Sequence, residues 1–147
     1  NHPKGAVMGH TDMSAEELVA RYVEEVWNQG NLDVAYELLA PNHVRRDSIL
    51  PNGVVGIEAV KAQITNLKTA FPDFHFDVWI IPSASGEFVT RRWIMTGTHL
   101  GEWMDVPPTG AVVTSTGMAI SRMESGLIAE EWVQRDDLGL LRQIGAL

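Results

Sequence analysis

Hydrophobic residues recur at helical spacing through the first half of the chain and predict three helices. A Ser-x-x-Glu capping box at residues 14–17 begins the first helix, and Gly30 ends it. A second, short helix runs from residues 31–39, where Pro41 stops it. The third covers about residues 56–70, with its apolar side chains on one stripe.

After Asp73 the hydrophobic period changes from helical to two, which is typical of strands. The pattern predicts four long strands, Phe74–Ile81, Glu87–Thr98, Val112–Met123 and Leu127–Arg135. Helices followed by a run of antiparallel strands indicate the α+β class. We therefore expect a strongly curved, mainly antiparallel sheet that packs against the N-terminal helices and encloses a cone-shaped cavity suited to a small molecule.

Composition narrows the possible partners. A length of 147 residues with 45% hydrophobic residues fits one domain, which we place at residues 14–147 behind a flexible tail of residues 1–13. The formal net charge of −8 argues against nucleic acid or an anionic membrane as partner. No apolar run approaches the length of about 20 residues that spans a membrane, and we expect a cytoplasmic protein.

The chain has no cysteine, which excludes disulfides, thiolate nucleophiles and Cys-ligated metals. The glycine-rich nucleotide loops, the Gly-x-Ser-x-Gly elbow and the His-Glu-x-x-His zinc motif do not occur. His43, His75 and His99 lie far apart in sequence, without the spacing of metal ligands. We therefore expect neither a metal site nor a nucleotide-binding site.

The transition from the last strand to a short C-terminal helix carries the candidate acid. Strict alternation along Leu127–Arg135 places Asp136 on the same face as Ile128, Trp132 and Gln134. A carboxyl group on such a mostly apolar wall loses hydration and can exchange protons near neutral pH. Asp137 then points to the opposite face, where it suits the first turn of the helix. The alternative is that Asp136 itself is only a helix cap.

A second candidate is His99, which follows a predicted strand on the face of Trp93 and Met95 if no bulge intervenes. Its neutral imidazole could polarise a carbonyl, or it could be a histidine held by backbone groups at a strand end. Large side chains suited to stack on a planar polycyclic ligand complete the candidate pocket. They and the polar residue beside them are Trp93, Met95, Trp103, Met118, Trp132 and Gln134. The alternatives are that the tryptophans are core residues, that the methionines fill gaps between strands, and that Trp103, in a loop, is a dimer contact rather than a lid.

Four segments together resemble a known family. They are residues 96–110 (TGTHLGEWMDVPPTG), residues 126–132 (GLIAEEW) with Asp136, residues 26–32 (VWNQGNL) and residues 70–73 (AFPD). These segments look like the SnoaL-like polyketide cyclase (ester cyclase) family of the nuclear transport factor two-like superfamily. The resemblance implies a cone-shaped α+β barrel, a homodimer or higher homo-oligomer, a hydrophobic ligand and cofactor-free chemistry.

The resemblance also implies roles for particular residues. In that family the Asp four residues after the tryptophan of the last strand is the general acid/base, a position that Asp136 occupies. Family members commonly carry a His immediately before the Asp of the first strand region, whereas this chain has Arg46 and Asp47, with His43 three positions earlier. Arg46 cannot act as a base but can bind an oxyanion. The alternative is a surface or dimer contact.

These observations lead to one main hypothesis and two rivals. The main hypothesis is a cyclase that closes a ring of an aromatic polyketide ester by intramolecular aldol condensation, with Asp136 moving the proton and His99 or Arg46 stabilising the enolate. The first rival is a polyketide-tailoring hydroxylase on the same fold, suggested by Arg46 in place of the usual His. The second is a non-catalytic module that only binds a hydrophobic ligand.

Overall fold

The computed structural model describes residues 13–147, so the predicted tail lies outside the described residues except for Met13, which packs against the hydrophobic core. The predicted capping box is present: Ser14 Oγ accepts a hydrogen bond from the Glu17 backbone N–H, and Glu17 Oε1 accepts one from the Ser14 backbone N–H. The helical elements are α1 (Ala15–Arg21), continued by a π-helix (Tyr22–Asn28), a 3₁₀ turn (Leu32–Val34), α2 (Ala35–Leu38), α3 (Ile57–Ala70) and α4 (Asp137–Gln143). None of the helices in residues 13–147 is long and apolar enough to cross a membrane.

Six strands form one open sheet in the order β2-β1-β6-β5-β4-β3. They are β1 (Leu39–Arg46), β2 (Val54–Val55), β3 (His75–Pro82), β4 (Phe88–Thr98), β5 (Val112–Glu124) and β6 (Leu127–Arg135). All neighbouring strands pair antiparallel except β1 and β6, which run parallel. The four strands predicted after Asp73 are therefore confirmed to within one residue at either end, and so is the α+β class.

The strand β1 departs from the sequence prediction. We expected the second helix to continue through Leu39, but it ends at Leu38 and the chain enters the sheet. Pro41 lies inside this strand, in a stretch where the pairing with β6 shifts register between Leu39 and Val44. An irregular stretch tolerates a residue that lacks a backbone donor. Local sequence could not signal β1, because its pairing partner lies about 90 residues further along the chain.

One face of the sheet packs against the helices and forms the core. The predicted stripe of α3 is buried, with Ile57, Val60, Ile64 and Leu67 facing the sheet. Cross-strand rows of inward residues run from β4 through β5 to β6: the row of Arg91, Ala119 and Val133 and the row of Trp93, Gly117 and Arg135. These rows carry both apolar and charged side chains, so the inner face is not a uniform core.

A β-bulge in β6 decides which side chains reach that inner face. Met123 pairs with Ile128 and Arg122 pairs with Glu130, so Ala129 is an extra residue without a partner on β5. A bulge of one residue exchanges the two faces of everything that follows it. Ile128 is buried before the bulge, and after it the inward positions are the odd-numbered ones, beginning with the buried Glu131.

Gly117 leaves the space that the Trp93 ring occupies. A Cβ atom at this position would lie 2.3 Å from Trp93 Cζ2 and 2.7 Å from the Gln134 carbonyl oxygen. We expect Gly117→Ala to displace the indole and lower the free energy of unfolding by about 1–3 kcal/mol. Urea denaturation measures this, and Thr114→Ala on the exposed face of the same strand is the control. Equal stability of the two variants would contradict the close packing described here.

Candidate active site

A cavity of about 440 Å³ lies between the inner face of the sheet and α3. Its walls are mostly apolar and aromatic, with Trp27, Phe76, Trp93, Met95, Trp103 and Leu140 among the lining residues. A volume of this size suits a drug-sized organic ligand. We call the side of the exposed lining residues, Ile49 and Leu50 in the 47–54 loop with Ala62 and Asn66 on α3, the open end of the cavity, and the side of the buried Arg45 and Arg91 its closed end.

Two arginines, Arg45 and Arg91, line the closed end. They are 6% and 4% exposed, so both charges are almost fully removed from solvent. The Arg45 guanidinium lies over the Trp27 ring, 4.9 Å from its centroid. Both arginines form ion pairs with Glu131, at 2.8 Å for Arg91 and 3.9 Å for Arg45. A buried carboxylate on β6 thus fixes the charges at this end of the cavity.

Glu131 is fully buried and accepts hydrogen bonds from four other elements, one of them the Ser121 hydroxyl of β5 at 3.5 Å from Oε2. Its Oε1 accepts from the Tyr22 hydroxyl at 3.1 Å and from His43 Nε2 at 3.0 Å, and its Oε2 accepts from Arg91 Nη2 at 2.8 Å. Burial opposes ionisation, but the charge of Arg91 and the hydrogen bond from His43 outweigh it and hold the pKa of Glu131 well below its usual value. Burial also raises the pKa of Tyr22, which keeps its hydroxyl as a donor.

A second group of charges stands nearer the opening. Arg135, the last residue of β6, lies between two carboxylates: its Nη1 is 3.6 Å from Asp47 Oδ2 and its Nε is 3.2 Å from Asp137 Oδ1. Asp47 is held in place, because its Oδ1 accepts from the backbone N–H groups of the two residues at 49–50. Asp137 Oδ2 accepts from the Ser48 hydroxyl at 3.1 Å. All three charged residues line the cavity.

Several polar atoms of the cavity wall lack a partner among residues 13–147. They are the indole Nε1 atoms of Trp27 and Trp103, Gln63 Oε1, Nε and Nη1 of Arg45, and Nε of Arg135, which has an ion-pair contact with Asp137 but no hydrogen bond. Unpaired buried polar groups are costly, and in native proteins they are usually satisfied by a ligand or by water. The wall therefore offers donors and an acceptor to a polar group of a bound molecule.

The structure places Asp136 outside this cavity and corrects the predicted burial. Its side chain is exposed and caps α4 by accepting from the Gly139 backbone N–H at 2.9 Å. The prediction assumed unbroken alternation from Ile128, and the bulge at Ala129 reverses the faces. Asp137, which we assigned to the opposite face, is consequently the carboxylate that lines the cavity.

The same reversal separates the predicted ligand-binding residues into two sets. Trp93, Met95 and Trp103 line the cavity. Met118, Trp132 and Gln134 lie exposed on the outer face of the sheet, so their predicted placement in the pocket is wrong. Arg46 is also on the outside, where it pairs with Glu130, and its neighbour Arg45 is the arginine that faces the cavity.

His99 is buried but is not part of the cavity wall. Its Nδ1 accepts from the Thr109 backbone N–H at 3.2 Å, and its backbone N–H and carbonyl bond residues Ala111 and Gly110. The ring packs on Phe71, with 5.5 Å between the centroids. These contacts match the alternative of a histidine held by backbone groups, and they close the 101–110 loop onto the sheet.

Sequence reasoning missed Arg45, Asp47, Arg91 and Arg135 as cavity residues. A signal existed for Arg91, since it shares the period-two face of Trp93 and Met95 on β4. No comparable local signal exists for the pairing of Arg135 with Asp47, because the two residues meet only through the parallel contact of β1 with β6.

Comparison with known proteins agrees with this geometry. Residues 17–144 match the sequence profile of the SnoaL-like polyketide cyclase family. The chain is 27% identical over 134 residues to the aklanonic acid methyl ester cyclase DnrD of Streptomyces peucetius, covering 90% of this chain and 92% of the relative.

Two solved structures also align with most of this chain. IdmH of Streptomyces antibioticus, for which a polyketide cyclase activity has been proposed, is 29% identical with a TM-score of 0.77, over 90% of this chain and 99% of the other. AclR of Streptomyces galilaeus, for which a hydroxylase activity has been proposed, is 28% identical with a TM-score of 0.77, over 90% and 96%.

The buried Glu131 cluster makes stability depend on pH. Glu131→Gln leaves Arg91 without its counter-charge, so we expect the free energy of unfolding to fall by about 3–5 kcal/mol at neutral pH. Because the folded-state pKa of Glu131 is lowered, its ionised form contributes fully above the usual value of 4.5, and the contribution is lost as the pH falls through the folded pKa. The difference between the two proteins should therefore narrow below pH 4.5.

Urea denaturation between neutral pH and about pH 3 measures that difference. The matched control is Glu130→Gln, since Glu130 is the adjacent, partly exposed carboxylate and pairs with Arg46 and Arg122 on the outer face. We expect this control to cost about 1 kcal/mol or less. A similar loss in both variants would show that the buried cluster contributes no more than a surface ion pair.

Proposed function

The chain belongs to the SnoaL-like polyketide cyclase family, and we propose that it is a cofactor-independent enzyme that closes a ring of an aromatic polyketide ester by intramolecular aldol condensation. The observation that carries the proposal is an aromatic-lined cavity with the Asp137 carboxylate beside the guanidinium of Arg135 at its open end. The likeness to a relative named as a cyclase of a polyketide methyl ester supports the substrate class.

The cavity suits ring closure within one flexible substrate. Trp27, Trp93 and Trp103 offer flat surfaces on which an aromatic ring system can stack. Holding the two reacting carbons of one molecule next to each other removes most of the entropy cost of bringing them together, which can lower the activation free energy by about 7–11 kcal/mol. Most of the rate acceleration then comes from shape, and the protein needs only one proton carrier.

We assign that proton carrier to Asp137. Its carboxylate takes the α-proton between the ester and ketone groups, and the resulting enolate carbon attacks the second carbonyl carbon. The new C–C bond forms while the carbonyl π bond breaks, and the alkoxide oxygen takes the proton back from Asp137. Arg135, 3.2 Å from Asp137, stabilises the negative charge that develops on oxygen.

The sequence pattern pointed to Asp136 for this role. We favour Asp137 because it lines the cavity, whereas Asp136 is exposed and its Oδ1 is engaged in the cap of α4. Asp47 also lines the cavity, but its Oδ1 already accepts two backbone N–H groups and holds the 47–54 loop in place. Its place in the proposal is to position Arg135.

Adjacent isosteric variants test the assignment. We expect Asp137→Asn to lower turnover by about 10²- to 10⁴-fold, the usual contribution of a general acid/base. Asp136→Asn should keep turnover within about threefold, because asparagine is an equally good helix cap. The measurement is the rate at which an uncyclised anthraquinone-type keto-ester gives an isomer of unchanged mass. The reverse order of the two effects would return the role to Asp136.

A hydroxylase is the second candidate, favoured by the likeness to AclR. In that reaction the dihydroxyaromatic anion of the substrate reacts with molecular oxygen: one oxygen atom enters the product, and the other leaves as water with two electrons from an added reductant. The mass of the product formed in air separates the two activities. Recovery of unchanged substrate in the presence of measurable binding would instead favour a ligand-binding module.

We propose further that two copies of the chain pair through the outer face of the sheet. This face carries exposed apolar side chains in adjacent rows, with Ile120 beside Trp132 and Met118 beside Gln134. On β3, Trp79 and Ile81 are exposed on the same face, separated from the β5 residues by Thr90 and Arg92 of β4. Exposed apolar side chains grouped on one face commonly mark an interface between proteins, and a second copy presents the same surface to it.

Light scattering coupled to gel filtration tests the pairing. We expect the purified chain to elute as a dimer and Ile120→Lys to elute as a monomer, because a charge at the centre of an apolar interface is left desolvated. Leu138→Lys, at an exposed apolar residue of α4, is the control and should remain dimeric. A monomer for the unaltered chain at micromolar concentration would refute this interface.

A further inference from the structure

Arg45 at the closed end of the cavity carries a charge that the fold does not balance. Within residues 13–147 the ion pairs of Arg45 and Arg91 both end on Glu131, so two guanidinium groups share one carboxylate. Arg91 Nη2 lies 2.8 Å from Glu131 Oε2, whereas Arg45 Nη1 lies 3.9 Å from Glu131 Oε1, which is beyond hydrogen-bond distance. One positive charge remains at this end of the cavity.

Glu131 does not need Arg45 as a donor. Its two oxygens already accept from Tyr22, His43 and Arg91, at 2.8–3.1 Å. In contrast, Nε and Nη1 of Arg45 find no acceptor in the described part of the chain, although the residue is 6% exposed. A buried guanidinium with free donors is an expensive arrangement unless something else supplies the acceptor.

The charges near the opening have the opposite balance. There the single guanidinium of Arg135 stands between the two carboxylates of Asp47 and Asp137. The cavity is therefore polarised, with excess positive charge at the closed end and excess negative charge at the open end. A ligand with one anionic group is attracted by the closed end and repelled by the opening, which selects a single orientation.

We propose that Arg45 forms a subsite for an anionic oxygen of the ligand, a carboxylate or ionised phenol on an aromatic ring system that stacks beside Trp27. The guanidinium lies over the Trp27 ring, with Cζ 4.9 Å from the ring centroid, and this contact holds its donors in place before the ligand arrives. The inference rests on the proposed function, since it names the ionisation state and orientation of the substrate of the same site. With the anion at Arg45, the uncharged keto-ester part of the substrate extends toward Asp137.

Binding of unreactive probes tests the subsite separately from catalysis. The probes are anthraquinone-2-carboxylate, its neutral methyl ester, and 2-hydroxyanthraquinone at a pH where the phenol is ionised, measured by isothermal titration calorimetry. We expect at least one anionic probe to bind more tightly than the ester. Arg45→Gln should lower the affinity for that anion by about 10- to 100-fold, the usual range for a hydrogen bond to a charged group. The affinity for the ester should change by less than about threefold.

The neighbouring Arg46→Gln is the matched control, because Arg46 pairs with Glu130 on the outer face and should leave every affinity unchanged. If Arg45→Gln does not fold, Arg45→Met replaces the charge by an apolar chain, a change that buried charged sites often tolerate. The probe whose affinity depends on Arg45 identifies the ligand group as a carboxylate or an ionised phenol. Equal affinity of anions and ester, or equal losses for both in the variant, would overturn the subsite.

The two proposals can fail independently. If the affinity for the anionic probe depends on Arg45 but the keto-ester is recovered unreacted, the cyclase proposal is wrong and the subsite proposal stands. If the protein cyclises the keto-ester but the Arg45→Gln substitution changes no probe affinity, the subsite proposal is wrong and the cyclase proposal stands. Thermal unfolding adds a structural readout: Arg45→Gln should not lower the melting temperature, whereas an Arg45 needed only as counter-charge for Glu131 would.

Discussion

The ionised Glu131 carboxylate, buried at the closed end of the cavity, is the constraint on which the rest of the structure depends. It joins β6 to the π-helix through Tyr22, to β1 through His43 and to β4 through Arg91. A charge in this position is stable only while its donors stay in place, because losing any one of them leaves a buried polar group unsatisfied. The cluster therefore fixes the distance between the N-terminal helix and the sheet, and with it the depth of the cavity.

Glu131 reaches the interior only because Ala129 bulges out of the β5–β6 ladder. Without the bulge, Trp132 and Gln134 would face the helices, and Arg135 would point to the outer face. A single inserted residue thus turns inward both the buried carboxylate that pairs with Arg91 and the Arg135 guanidinium that lies between Asp47 and Asp137. Bulges are frequent beside functional sites because they redirect side chains in this way.

The sheet carries large apolar side chains on both faces, for two different reasons. Inside, Trp93, Met95 and Val133 form cavity wall and core, while outside Ile120 and Trp132 remain exposed. Two apolar faces give a sequence pattern in which hydrophobicity does not distinguish inside from outside. This explains why the tryptophan of β6 misdirected the prediction.

The sequence by itself determined the three main helices, the four long strands after Asp73, the α+β class and the family resemblance, because these depend on local periodicity and on short motifs. It also placed Trp93 and Met95 on a common face of β4. Only the tertiary structure decided that Leu39–Arg46 is a strand and that Arg45 and Asp137, rather than Arg46 and Asp136, line the cavity. The physical reason is that a parallel pairing across about 90 residues and a one-residue bulge leave no local trace, yet each sets which of two adjacent side chains faces inward.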